Sequence, residues 1–296
     1  MASRIPALLI ESQRVAHTVA HGTHGRRRAG PGETFWQFRH YDLNDARSGI
    51  DWRRSASSDH LFVREREWEA AHTVWLWADL SPSMRFRSSL ARITKASRSV
   101  VLALALAELL ARGGERVGVL GGPPFTGRAA ARRVAAFMMS DTSEDSLPPN
   151  AKLSRFSECL LFSDFLEPVA AMAERFEAIA AQGVRGHLVQ VLDPAEETLP
   201  YAGRTEFAAS EGKDRMIAGR AETLREAYQD RLKRHRTDLS NVTRRLGWSF
   251  IVHHTDRPPE EAVLAIHSRL AGLERDYRYR PPRQVADGSA AEAPQP

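Results

Sequence analysis

The stretch Thr73-Val74-Trp75-Leu76-Trp77-Ala78-Asp79-Leu80-Ser81-Pro82-Ser83-Met84 decides the fold. Its first six residues form a short run of β-branched, aromatic and apolar side chains, which reads as a strand buried on both faces. Trp75 and Trp77 fall on one face of that strand by the period of two and are expected in the core. Directly after it, Asp79, Ser81 and Ser83 place one carboxylate and two hydroxyls at i, i+2 and i+4. Hard oxygen donors of this kind suit a divalent cation such as Mg²⁺. The donors therefore stand at the carboxyl end of a buried strand.

Outward from this segment, strands alternate with helices, as in a mainly parallel sheet covered on both faces. A helix is expected from Arg92 to Arg112, nearly apolar all round from Val100 onward and stopped by Gly113-Gly114. A strand over Arg116–Leu120, a Gly-Pro turn at Gly121–Pro124 and a helix over Ala129–Met139 follow. Cys159–Phe162 reads as a third core strand ending in Ser163-Asp164. Then come a helix (Val169–Gln182), a strand (His187–Leu192), a long polar helix (Arg215–Leu246), a strand (Trp248–His253) and a last helix (Pro259–Leu273). The fold class is α/β: a Rossmann-like, doubly wound, mainly parallel sheet with helices on both faces. In such sheets ligands bind outside the carboxyl ends of the strands, where strand order reverses. If the strand ending at Asp164 lies beside the one ending at Asp79, the two carboxylates converge.

Composition excludes several classes. With 42% hydrophobic residues in 296, the chain can bury a full core. The apolar run from Val100 to Ala111, interrupted by Glu108, is well short of the roughly 20 residues that a bilayer span needs. Ile5–Ile10 is too short for a signal-peptide core, so a cytoplasmic protein is expected. A net charge of +5 and a pI near 9.7 raise nucleic-acid binding, but the basic residues are scattered and form no stripe. Arg26-Arg27-Arg28 and the run Arg231–Arg236 read as solvated surface. The single cysteine, Cys159, reads as an inert core thiol.

Asp-x-Ser-x-Ser after an apolar first strand, with a later strand-terminal Asp, resembles the metal-ion-dependent adhesion site of von Willebrand factor A domains. Upstream, Gly30–Tyr41, Ile50-Asp51-Trp52-Arg53-Arg54-Ser55-Ala56-Ser57 and Val63-Arg64-Glu65 resemble the signature that precedes such a domain in the DUF58 family. The resemblance implies an N-terminal extension over residues 1–66 and a von Willebrand factor A-like domain over 67–275; a disordered tail over 276–296 is expected because Pro281–Pro296 is rich in Ala and Pro. It further implies a non-enzymatic protein-interaction module that holds Mg²⁺ or Mn²⁺ and assists a MoxR-type AAA+ ATPase, or that ATPase's client, in chaperone-like or assembly work. Carried over, Ser81 and Ser83 are direct ligands, with Asp79 and Asp164 acting directly or through water. A-type sites usually add a threonine from a Gly-Thr pair. This chain has none in the corresponding region, which leaves Thr142, Ser143 or Ser146, with Thr126 a weaker candidate.

Other readings of the same residues compete. The Asp-x-Ser-x-Ser turn serves equally as a helix cap when taken alone. A metal-dependent phosphotransferase or phosphatase using Asp79 is the enzymatic alternative, though such sites typically read Asp-x-Asp, and here Ser81 stands at the second position. The chain lacks Gly-x-Ser-x-Gly and Gly-x-x-x-x-Gly-Lys-Ser/Thr, which removes the hydrolase elbow and the P-loop. Trp52 is expected to pack beneath the sheet, flanked by an Asp51–Arg53 ion pair.

Overall fold

The computed structural model describes residues 5–23, 35–41, 50, 52–56, 60–66, 72–140, 143–208 and 214–270. Strands β1 (Phe35–His40) and β2 (Phe62–Arg66) pair antiparallel as a separate ribbon, with the short helix α2 (Trp52–Ser55) between them. Strand β3 (Thr73–Ala78) is buried along its whole length, as its apolar run requires. Helix α3 (Lys95–Arg112) follows, capped by the Thr94 side chain, which accepts from Ser97 N–H. Next come β4 (Arg116–Val119), β5 (Pro124–Phe125) and α4 (Ala130–Ser140). The chain continues through β6 (Glu158–Ser163), α5 (Val169–Ala180), β7 (Arg185–Leu192) and the short helix α6 (Pro194–Thr198). A hairpin of β8 (Thr205–Ala208) and β9 (Arg215–Ala218) leads to α7 (Arg225–Arg245), β10 (Ser249–His254) and α8 (Pro259–Leu270).

The main sheet has six strands in the order β10-β7-β6-β3-β4-β5. All neighbours run parallel except β5, which returns antiparallel against β4. Numbered by their appearance in the sheet, the parallel strands lie in the doubly wound order 2-1-3-4-5, whose reversal falls between β3 and β6. Asp79 N–H donates to Phe162 O at 2.9 Å, so this pairing continues to the ends of both strands. The sheet that the alternation predicts is therefore present, with the strand ending at Asp164 directly beside the one ending at Asp79.

Helix α3 is apolar all round because it is covered on every side. Val100 to Ala107 are all buried, between the sheet and a helical layer that includes Leu8, Val15, Ala16 and Val19 of α1 (Ile5–Thr23) and Ala262, Val263 and Ile266 of α8. Burying each large aliphatic side chain contributes roughly 1.5–3 kcal/mol. The opposite face holds Trp75, Trp77, Met172, Phe176, Leu239 and Trp248. The two tryptophans of β3 thus share one face, as their spacing requires. Close approach fixes Gly118 of β4, where an added Cβ would meet the Trp75 ring at 2.6 Å.

Three expectations need correction. Residues 215–224 are not the start of the long helix: they form β9 and a 3-10 turn, Ala221–Leu224, before α7 begins at Arg225. The proposed Gly-Pro turn carries a short edge strand, β5. Trp52 is not beneath the sheet but 64% exposed; its expected ion pair includes Asp51, which lies outside the described residues. Cys159 is buried and free, and burial pushes its thiol pKa up, away from the reactive thiolate. Among the described residues no helix is long and apolar enough to cross a membrane.

Candidate metal centre

At the switch point the chain leaves β3 as Asp79-Leu80-Ser81 and turns through a 3-10 segment, Pro82–Arg85. Proline sits where an unpaired N–H costs nothing. Asp79 is fully buried and both its oxygens are engaged: Oδ1 accepts from Ser81 N–H at 2.8 Å and Oδ2 from Ser163 O–H at 2.6 Å. Ser81 Oγ lies 3.1 Å from Ser83 Oγ, and Ser83 O–H donates to Asp164 Oδ2 at 3.0 Å. Ser81, Ser83 and Asp164 thus form a run of oxygens across the junction, joined to Asp79 through Ser81 N–H. Ser81 and Asp164 are buried, whereas Ser83 is only half-buried and forms the opening.

The loop after β6 is held just as tightly. Phe165 adopts φ 49, a left-handed conformation that costs a non-glycine residue about 1–2 kcal/mol. Its N–H donates to Ser163 Oγ at 3.1 Å, and its buried ring meets Phe176 edge-on. Gln190 of β7 donates to Asp164 O at 2.8 Å. These contacts aim the Asp164 side chain at the serines.

Burial pushes the Asp79 carboxyl up, and the hydrogen bonds from Ser163 and Ser81 offset only part of that, leaving its pKa at about 6. A buried carboxylate so poorly compensated favours a cation beside it. The oxygen spacing also fits one. Ligands about 2.1 Å from an octahedral Mg²⁺ stand about 3 Å apart along each edge. The 3.1 Å and 3.0 Å separations on either side of Ser83 Oγ are those of ordinary hydroxyl hydrogen bonds and lie close to that edge.

The structure brings Asp79, Ser81, Ser83 and Asp164 together; Thr142 lies outside the described residues. Ser146, a substitute for it, donates instead to Glu167 at 2.7 Å. Ser143 lines a cavity of about 150 Å³ beside the site with Trp77, Leu80 and Asp145. Its loop is tied to the 3-10 turn by an Arg85–Glu144 ion pair.

Two further residues enter the site. Lys95, the first residue of α3, is 1% exposed, and its Nζ donates to Asp164 Oδ2 at 2.8 Å and to Glu196 Oε1 at 2.5 Å. Burial alone would lower the Lys95 pKa, but Asp164 and Glu196 more than offset that and raise it, so the ammonium stays charged. Glu196 belongs to a capping box in which Asp193 accepts from Ala195 N–H and Glu196 accepts from Asp193 N–H. The spacing Asp193-x-x-Glu196 was the signal for that box in the sequence. Asp193 also accepts from Ser88 N–H at 2.9 Å, which ties α6 to the loop after the 3-10 turn.

Fold and site together define a doubly wound α/β domain with an oxygen-lined cluster at its topological switch point. A family model, "Protein of unknown function DUF58", matches residues 37–238, and the chain belongs to that family. Among curated proteins it is similar to the uncharacterized protein Mb1516 of Mycobacterium bovis and to the uncharacterized proteins MT1527 and Rv1480 of Mycobacterium tuberculosis. Each is 26% identical over 263 residues, spanning 81% of this chain and 80% of the relative.

Proposed function

We propose that this chain is a von Willebrand factor A-like interaction module that binds Mg²⁺ or Mn²⁺ through Asp79, Ser81, Ser83 and Asp164 and uses it to grip an acidic group on a protein partner. The observation that carries the reading is the continuous run of oxygens across the β3–β6 junction, with spacings suited to an octahedral ion. When bound, the cation supplies a coordination position for a partner's carboxylate. Ser83, the half-buried member, marks the side from which that carboxylate approaches. By the family resemblance, the partner is a MoxR-type AAA+ ATPase or its client, in chaperone-like or assembly work. Thr142 is a candidate fifth donor.

The full burial of Asp79, with its oxygens accepting from Ser81 N–H and Ser163 O–H, disfavours an in-line phosphotransfer nucleophile and equally gives Asp79 a water-bridged role at the cation in place of a direct one. The experiment is affinity capture on the immobilised protein with Mg²⁺, with EDTA, and with the S81A/S83A variant. Capture of an AAA+ ATPase that requires Mg²⁺ and is lost in the variant is the expected result. Capture that is equal under all three conditions overturns the reading.

A further inference from the structure

Lys95 is placed against every local preference. A cation at the first position of a helix opposes the macrodipole, whose positive end lies there. Full burial of an ammonium is costly unless it is paired. Its tip nevertheless reaches Asp164 and Glu196, with the Phe86 ring 5.9 Å away. The atom it shares with the site is the important one: Asp164 Oδ2 accepts from Lys95 Nζ and also from Ser83 Oγ. A divalent ion using that oxygen would be pressed against an ammonium in a medium of low dielectric, where like charges repel strongly.

We propose that Lys95 is a tethered cation that occupies the site in competition with a divalent ion, and that the ion enters when the ammonium withdraws from Asp164 onto Glu196. The inference rests on the reading of Asp79, Ser81, Ser83 and Asp164 as a cation site. Glu196 is the second seat, held in place by its capping box and joined through Asp193 to Ser88 of the neighbouring loop. Loading the site therefore shifts the balance of a contact that spans α3, α6 and the loop after the 3-10 turn, giving the domain a route from ion to surface.

The test is calorimetric titration of MgCl₂ into the wild-type chain and into K95M/E196Q, without partner. The double variant removes one positive and one negative charge, so long-range electrostatics alone predicts no change in affinity. In the double variant Asp164 keeps its hydrogen bonds from Ser83 O–H and Leu166 N–H, and thermal melting in EDTA checks that the chain still folds. K95Q, which keeps an N–H donor between the two carboxylates, is a second variant. Competition predicts an Mg²⁺ dissociation constant at least tenfold lower in K95M/E196Q than in the wild type, with K95Q changed in the same direction. Equal or weaker binding in the double variant, or no binding in either protein, overturns it. Failure of the metal-bridge reading shows separately, as partner capture that ignores EDTA while the Lys95 effect on Mg²⁺ binding persists.

Discussion

Two carboxylate clusters lie along the same edge of the sheet and are compensated to opposite extents. Beyond β7, Glu197 takes a two-pronged contact from Arg236 at 3.1 Å and 2.7 Å and faces His254 Nε2 at 3.2 Å. Arg236 also donates to Gln190 Oε1 at 3.1 Å. Burial would push the Glu197 carboxyl up, but His254 and Arg236 reverse that and hold it at about 2. At the β3–β6 switch point, Asp79 has only neutral hydrogen-bond donors, and burial leaves it near 6. The chain pairs Glu197 with Arg236, whereas at the switch point Lys95 pairs with Asp164 and Glu196 and Asp79 is left to neutral donors. The first is therefore a structural tie between α6, α7 and β10; in the second, the Lys95 ammonium serves Asp164 and Glu196 and does not offset the burial of Asp79.

Breaking the balanced cluster should give the largest change. Arg236→Ala leaves the partly buried Glu197 and the fully buried Gln190 without a main donor, and about 3 kcal/mol of stability should be lost, read by urea unfolding. The switch-point cluster should respond with the opposite sign. Asp79→Asn removes a carboxylate that is costly to ionise, so in EDTA at pH 7.5 the variant should be more stable by roughly 1–3 kcal/mol. A loss of stability there would mean that Asp79 is compensated in some other way.

The pH dependence separates the clusters further. Asp79 holds its proton more tightly folded (about 6) than unfolded (3.8), so its contribution falls as pH rises from about 4 to 6. The gain in Asp79→Asn should therefore be complete above pH 6 and vanish below about pH 4. Glu197 has the reverse sign: its stabilisation is complete above the ordinary value of 4.5 and is lost as pH falls toward 2. Glu197→Gln should cost about 2 kcal/mol at pH 7 and progressively less in acid, measured by the denaturation midpoint at each pH. The smallest effect is expected at Ser83→Ala, where one half-buried hydrogen-bonding group is removed at about 1 kcal/mol or less. Mg²⁺ affinity, not stability, should report that change.

The contrast also separates what sequence pattern carries from what it does not. Thr73–Ala78 and Cys159–Phe162 announce themselves because parallel strands buried on both faces leave continuous apolar runs, and Asp79 and Asp164 follow directly from where those runs end. Lys95 leaves no such trace. It is an ordinary residue at the start of a helix, and its partners Asp164 and Glu196 lie 69 and 101 positions away. The helix reads from Arg92 in the sequence, so Lys95 does not stand out as its first residue. Arg236 was hidden in the same way inside a basic run that reads as solvated surface, since its partner Glu197 is 39 positions distant. Residues 215–218 were merged with the helix after them because a four-residue strand in a two-stranded hairpin has too little length to impose its period.

The central claim is that the oxygens at the β3–β6 junction are the ligands of a divalent ion. Its most direct test is anomalous diffraction from crystals of the wild-type chain soaked in Mn²⁺ at tens of millimolar. The account predicts a manganese peak in coordination contact with Ser81 Oγ and Ser83 Oγ, with Lys95 Nζ drawn away from Asp164 toward Glu196. A soaked crystal with Lys95 still on Asp164 and no manganese at the serines would contradict it.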